Sequence, residues 1–212
     1  MTTLEHLIQP SENNPRWRLP RRQDGLKTFE TILSVSKKLF AQNSFSQTSV
    51  NQIIEESGLS VGTFYIYFDD KLAVYQYLLK DYSKTIKSVI RKATKKCINR
   101  EETERIGLKA FILFSLKDPL SYKIIWESTL IDWDTFKDYY SSFASRYIDN
   151  LQKAEQKHEI KADMDFETLS YLLMGVSNFI GLQVLFMKKT TEAEIDRIVD
   201  TAITVFKSGF LK

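Results

Sequence analysis

Three of the four prolines fall within the first twenty residues (Pro10, Pro15, Pro20), and beyond them only Pro119 interrupts the chain. Proline removes an amide donor and clashes with the preceding turn, so its absence over so long a stretch favours helix. The chain has only seven glycines, and it is rich in Leu, Lys, Glu, Ile and Phe. No alternation of strand period persists, and there is no internal repeat. The pattern predicts an all-α fold of about nine helices.

The first helix should start at Asp24, with Leu26, Phe29, Leu33, Ser36 and Phe40 on one face, and break at Asn43-Ser44. Thr48 or Ser49 should cap a short second helix carrying Val50, Ile53 and Ile54, stopped by Gly58. Ser60 should cap a third, Val61 to about Tyr67, and Asp69 or Asp70 should open a fourth from Lys71 to about Lys96. Further helices are expected at 101–117, 119–131, 134–157, 165–187 and 191–210. The 165–187 segment is apolar around most of its circumference, which implies burial on more than one side.

The chain has 212 residues, 43% of them hydrophobic, enough for a core and incompatible with a disordered composition. A single cysteine, Cys97, excludes an internal disulfide framework and fits a reducing compartment. Lys95, Lys96 and Arg100 beside it could lower its pKa, although an incidental helix residue is the favoured reading. No N-terminal apolar run resembles a signal peptide, and no stretch reaches the roughly 18 uninterrupted apolar residues of a membrane span. The expectation is a soluble, cytoplasmic protein without a membrane partner. His6 and His158 are far apart, and no metal-ligand spacing, phosphate-binding loop or marked nucleophile is present. No enzyme activity, metal or cofactor is expected.

Net charge is only +3, but it is unevenly placed: residues 1–100 carry 16 Lys and Arg against 9 Asp and Glu, residues 101–212 carry 14 against 18. A basic first half suggests a polyanionic partner. Residues 1–23, with Arg16, Arg18, Arg21 and Arg22 around Trp17, read as a mobile basic extension that could lie along phosphates. Residues 49–58 and 60–67, joined by Gly58-Leu59, form the grammar of a helix-turn-helix. Gly62 inside the second of these helices costs about 1 kcal/mol relative to Ala, which makes sense where a helix presses on a nucleic acid. Thr63 can reach a base edge or phosphate, Tyr65 and Tyr67 offer hydroxyls to phosphates, and Lys71 offers a point charge.

The stretch Thr31–Tyr75 resembles the DNA-binding domain of the tetracycline-repressor (TetR) family. Ile32-Leu33, Leu39-Phe40-Ala41, Phe45, Thr48-Ser49-Val50, Ile53, Gly58-Leu59-Ser60, Gly62-Thr63-Phe64-Tyr65, Tyr67-Phe68 and Lys71 carry the likeness. Ser36 stands where the family has Ala, Ser44 where it has Gly, so that Asn43 or Ser44 must take positive φ, and Leu72 where Glu is common. The resemblance implies that Thr48 and Ser49 anchor the second helix to a phosphate and that Ser60, Val61 and Thr63 lie nearest the major-groove floor, with Gly62 allowing close approach. It also implies that Tyr65, Tyr67 and Lys71 fix register on the backbone, with Phe40, Phe45, Ile53, Phe64 and Phe68 as core. The domains expected are the extension 1–23, a DNA-binding domain 24–70 and a ligand-binding and dimerisation domain 71–212.

Past Tyr75 the resemblance is architectural. It implies a homodimer built on the last two helices, for which Gly175, Gly181, Ile198, Ala202 and Phe206 are the candidate interface residues. It also implies a cavity for a small effector. The abundance of aromatics favours an apolar or flat ligand, with Phe111, Phe114, Trp126, Phe143, Tyr147 and Asn178 as candidate contacts. The fourth helix would couple cavity to reading head. The function implied is a repressor released from a palindromic operator by its effector. Alternatives are a transcriptional activator and an adaptor of the same fold that binds protein rather than DNA.

Overall fold

The computed structural model describes residues 16–187 and 189–209. Among them the fold is all-α, as expected. The nine helices are α1 (Gln23–Asn43), α2 (Val50–Ser57), α3 (Val61–Tyr67), α4 (Lys71–Ala93), α5 (Arg100–Lys117), α6 (Pro119–Ile131), α7 (Trp133–Gln156), α8 (Phe166–Phe186) and α9 (Glu192–Gly209). The chain divides into two compact units, with the boundary inside α4 between Leu78 and Leu79.

Local chemistry sets most of the helix starts. The Ser49 hydroxyl accepts from the Gln52 amide while the Gln52 side chain accepts from the Ser49 amide, a reciprocal capping box. Thr191 and Glu194 make the same exchange before α9. Asn99, Asp132 and Asp165 cap α5, α7 and α8. Pro119 sits in the first turn of α6, where its missing amide costs nothing. Gly58 ends α2 at φ 63°, in the left-handed region. Ser44 ends α1 at φ 73° and ψ 162°, a region that only glycine enters without strain.

In the first unit, α1, α2, α3 and the first two turns of α4 enclose Phe29, Ile32, Phe40, Ile53, Phe64, Phe68, Val74 and Tyr75. Ring pairs tie this small core together, Phe29 meeting Phe68 at 4.9 Å and Phe40 meeting Tyr75 at 5.5 Å. Phe45, expected in the core, is half-buried beside Phe40 and Tyr75. The Ser36 hydroxyl lies in this interior without a hydrogen-bond partner.

Of the extension expected at 1–23, residues 1–15 lie outside the described residues, and from Arg16 onward the chain makes contacts with the first unit. Trp17 pairs with Phe68 in an antiparallel bridge, with Arg18 N donating to Tyr67 O at 2.8 Å and Asp69 N to Arg16 O at 3.0 Å. Arg16 pairs with Asp70 and Arg18 with Asp69, and the Trp17 ring meets Tyr77 edge-on. Asp70 also caps α4, accepting from Ala73 N at 2.8 Å. Two carboxylates and an aromatic surface at the α3–α4 junction receive the segment.

In the second unit the apolar stripes of α5, α8 and α9 meet around Leu108, Ile112, Leu151, Leu173, Val199, Ile203 and Phe206. The ion pairs Arg105–Asp200 and Lys109–Asp196 bind α5 to α9 along the edge of this core. By length and composition α8 is apolar enough to cross a membrane, with mean hydropathy 1.6; its Leu169, Leu173 and Val184 belong to this core, and its Ser170, Ser177 and Asn178 side chains donate to carbonyls of the same helix.

Candidate nucleic-acid interface and cavity

Helix α3 is seven residues long, and Phe64 is its buried anchor. The Ser60 hydroxyl accepts from the Thr63 amide and contacts the Thr63 hydroxyl at 2.8 Å, so the two side chains hold each other at the start of the helix. Val61, Tyr65 and Ile66 are 57%, 48% and 59% exposed, a high value for large apolar side chains so close to a core. A Cβ added at Gly62 would meet nothing within 4 Å. The protein's own packing therefore gives no reason for this helix-weakening glycine. Tyr67 is half-buried, its hydroxyl over Gly25 and its ring against Phe29.

Two expected backbone contacts are placed differently. Thr48 is buried, and its hydroxyl donates to Ser44 O at 2.8 Å, which withdraws it from the surface and leaves Ser49 exposed. Lys71 turns back across the α1–α2 connection: its ammonium donates to Phe45 O at 2.8 Å and Thr48 O at 2.7 Å and lies 4.4 Å from the Phe45 ring centre. A lysine has three donors, so one N–H remains. These positions were invisible in the sequence because both partners are carbonyls, which carry no residue-type signal.

The second unit contains a cavity of about 460 Å³ lined by residues of α4, α5, α7 and α8. Of the six expected ligand contacts, Phe111, Phe143, Tyr147 and Asn178 line it, whereas Phe114 and Trp126 do not. Trp126 instead lies against Phe179, at 6.2 Å, on an exposed surface. Asn178 bridges helices: its amide donates to Met174 O at 2.7 Å, its oxygen accepts from Tyr140 at 3.4 Å, and its backbone carbonyl accepts from Tyr122.

Sequence reasoning missed the cavity's charged centre. Arg100 and Glu104 form a buried ion pair one turn apart on α5; the other Glu104 oxygen accepts from Tyr147 at 3.1 Å, and the guanidinium stacks over the Tyr147 ring. Burial, reinforced by the Glu104 charge, pushes the Tyr147 phenol far above its usual range, so it stays a proton donor. Burial likewise pushes the Tyr140 phenol up to about 12. Cys97, also on the wall, is shifted upward by burial and then by Glu102, opposite to the direction its cationic sequence neighbours suggested.

The expected dimer residues divide in an instructive way. Ala202 and Phe206 are buried and Ile198 packs partly buried against the same intramolecular core, so the α9 stripe faces inward. Gly181 is buried because Tyr122 occupies the place of its side chain. Gly175 is different: open space surrounds it. It shares an outer α8 face with Leu172, Val176, Phe179 and Phe186, which are 61%, 37%, 67% and 78% exposed. An amphipathic pattern marks these helices as apolar but cannot say which apolar side is the protomer's own core.

A small three-helix head whose second and third helices form a capped helix-turn-helix, followed by a helical unit with a cavity, defines a class of DNA-binding regulators. Residues 32–78 match the model of bacterial regulatory proteins of the tetR family. The helix-turn-helix regulator YuxN of Bacillus subtilis is 40% identical over 65 residues, 30% of this chain, and the match spans only 22% of YuxN. YdgC of the same organism, described in the same terms, is 22% identical over 161 residues, covering 73% of this chain and 80% of YdgC. Among solved structures, GusR of Salmonella enterica superposes with a TM-score of 0.72 at 20% identity, covering 86% of this chain and 95% of GusR, a likeness of fold. Residues 32–78 thus carry the DNA-binding domain of bacterial regulatory proteins of the tetR family, and the likeness beyond them is one of fold.

Proposed function

We propose that this protein is a homodimeric repressor that reads a palindromic operator with α3 and releases it when a small molecule enters the cavity of the second unit. The outward face of α3 carries the reading: Val61 and Ile66 are exposed, Gly62 has open space around it, and Tyr65 is exposed with only the edge of its ring pair with Phe64 holding it. Ser60, Val61, Gly62 and Thr63 are the candidate base-reading positions, and a thymine methyl suits Val61 and the Thr63 methyl. Ser49, Tyr65 and Tyr67 would position the backbone, together with the remaining N–H of Lys71. Thr48 then supports this surface from beneath.

A seven-residue helix covers few base pairs, so two half-sites read by a symmetric dimer are needed for useful affinity. The outer α8 face of Leu172, Gly175, Val176, Phe179 and Phe186 is the proposed dimer surface, in place of the inward α9 stripe. The cavity volume falls within the range of small-molecule sites. Its effect on DNA affinity is set by the difference between effector affinities for the two states.

Selection of bound duplexes from a random DNA pool, with protein unfolded, stripped and refolded beforehand, tests the reading. Recovery of a palindrome with half-sites about one helical turn apart, or somewhat more, is expected. Recovery of nothing above background by the refolded dimer overturns it.

A further inference from the structure

The cavity walls carry seven cationic side chains and only two carboxylates, Glu104 and Glu159. Glu104 is already engaged by Arg100 and Tyr147. Lys87 on α4 and Arg146 on α7 face the same space, and neither has an ion pair among the described residues.

Their surroundings hold one of them firmly. Lys87 Nζ donates to Ser142 Oγ at 2.8 Å and sits 4.7 Å from the centre of the Phe143 ring. Ser142 in turn donates to Tyr139 O at 2.6 Å, so its hydroxyl is oriented to accept from the lysine. Two ammonium protons are left for another acceptor. Arg146 lies one turn beyond Ser142 and Phe143 on α7, which brings its guanidinium to the same wall. Two like charges facing one another across a partly desolvated wall oppose folding, and burial together with Arg146 draws the Lys87 ammonium below its usual range. No carboxylate among the described residues pairs with either cation, and an anion between the two would offset their repulsion. The neighbouring wall is apolar, with Ile90, Leu108, Phe111 and Phe143.

We infer that the cavity takes an amphipathic anion, its carboxylate or phosphate head held between Lys87 and Arg146 and its hydrocarbon part against the apolar wall. This rests on the cavity being the effector site, and it adds a charged head to the apolar or flat ligand that the aromatic count suggested. Arg100 supports the wall through Tyr147, while its own charge remains balanced by Glu104.

Calorimetric titration of the full-length, refolded dimer with decanoate, decyl phosphate and decanol tests the assignment, because the three share a tail and differ in the head. Decanoate or decyl phosphate should bind at least about tenfold more tightly than decanol, and whichever is tighter identifies the head. Lys87→Gln and Arg146→Gln should each weaken the anion by about tenfold and leave decanol unchanged. Decanol binding as tightly as both anions overturns the inference, as does an unaltered anion affinity in the Lys87→Gln/Arg146→Gln double variant, or no binding of any of the three. A second readout, operator affinity with the bound anion, separates the two readings. Anion binding that depends on Lys87 and Arg146 but leaves operator affinity unchanged supports the anion site and overturns the effector role of the cavity.

Discussion

The two units solve opposite problems with the same element. The first keeps its chemistry outside: a few aromatic rings lock four helical segments together, and the side chains proposed to read DNA point outward from α3. The second keeps its chemistry inside, where a buried ion pair, phenols and two repelling cations surround a cavity that close packing would otherwise have filled. Two glycines state the contrast. Gly62 has room for a side chain and lacks one; Gly181 lacks one because Tyr122 fills the place. The absence at Gly62 points to a partner outside the chain, and the absence at Gly181 to a partner within it.

The strongest test of this contrast sets two phenylalanines against each other. Phe206→Glu buries a carboxylate in the second unit's core and should abolish its cooperative thermal transition, a loss of about 4 kcal/mol or more. Phe179→Glu alters a 67% exposed position and should preserve the circular-dichroism melt while converting the dimer to monomer in light scattering. A folded monomer from Phe206→Glu would return the interface to α9.

Next in size is the cavity's charged centre. Glu104→Gln leaves Arg100 buried without its counter-charge and should cost about 3 kcal/mol in urea denaturation, without changing DNA binding by the first unit per half-site. A loss below about 1 kcal/mol would mean that water already reaches the pair.

The glycines themselves come third. Gly181→Ala forces a methyl against the Tyr122 hydroxyl and should destabilise by about 2 kcal/mol. Gly62→Ala should raise stability by up to about 1 kcal/mol and yet weaken operator binding severely, a combination expected only of a residue selected for an external contact. Retained operator affinity in Gly62→Ala would remove α3's close approach.

The smallest effects belong to the two places where the first unit departs from its family's pattern. Ser36→Ala removes a buried hydroxyl without a partner, and Ser44→Gly relieves a backbone conformation that suits glycine alone. Each should stabilise by about 1 kcal/mol, with a raised melting temperature and unchanged DNA preference.

Much of the first unit was legible because its signals are local. Ser49 with Gln52, Gly58 at a left-handed turn and Ser60 with Thr63 each act within one turn of chain, and residue type alone reports them. The positive φ that the family resemblance implied at Asn43 or Ser44 falls on Ser44. In the second unit the helices were legible and their facing was not. Ile198, Ala202 and Phe206 form a clear stripe, but a stripe looks alike whether it meets α5 of its own chain or a second copy.

The sequence by itself determined where the helices start and stop and that a helix-turn-helix is present, because capping, turn chemistry and helical period are properties of neighbouring residues, and its motif over residues 32–78 matches one family's DNA-binding domain. Only the tertiary structure decided that Thr48 and Lys71 turn inward, that Arg16 and Arg18 bind Asp70 and Asp69, that α9 belongs to the core, and that Lys87 and Arg146 share one wall. Those outcomes depend on contacts between residues distant in the chain and on backbone carbonyls that every residue carries alike, so no local pattern encodes them.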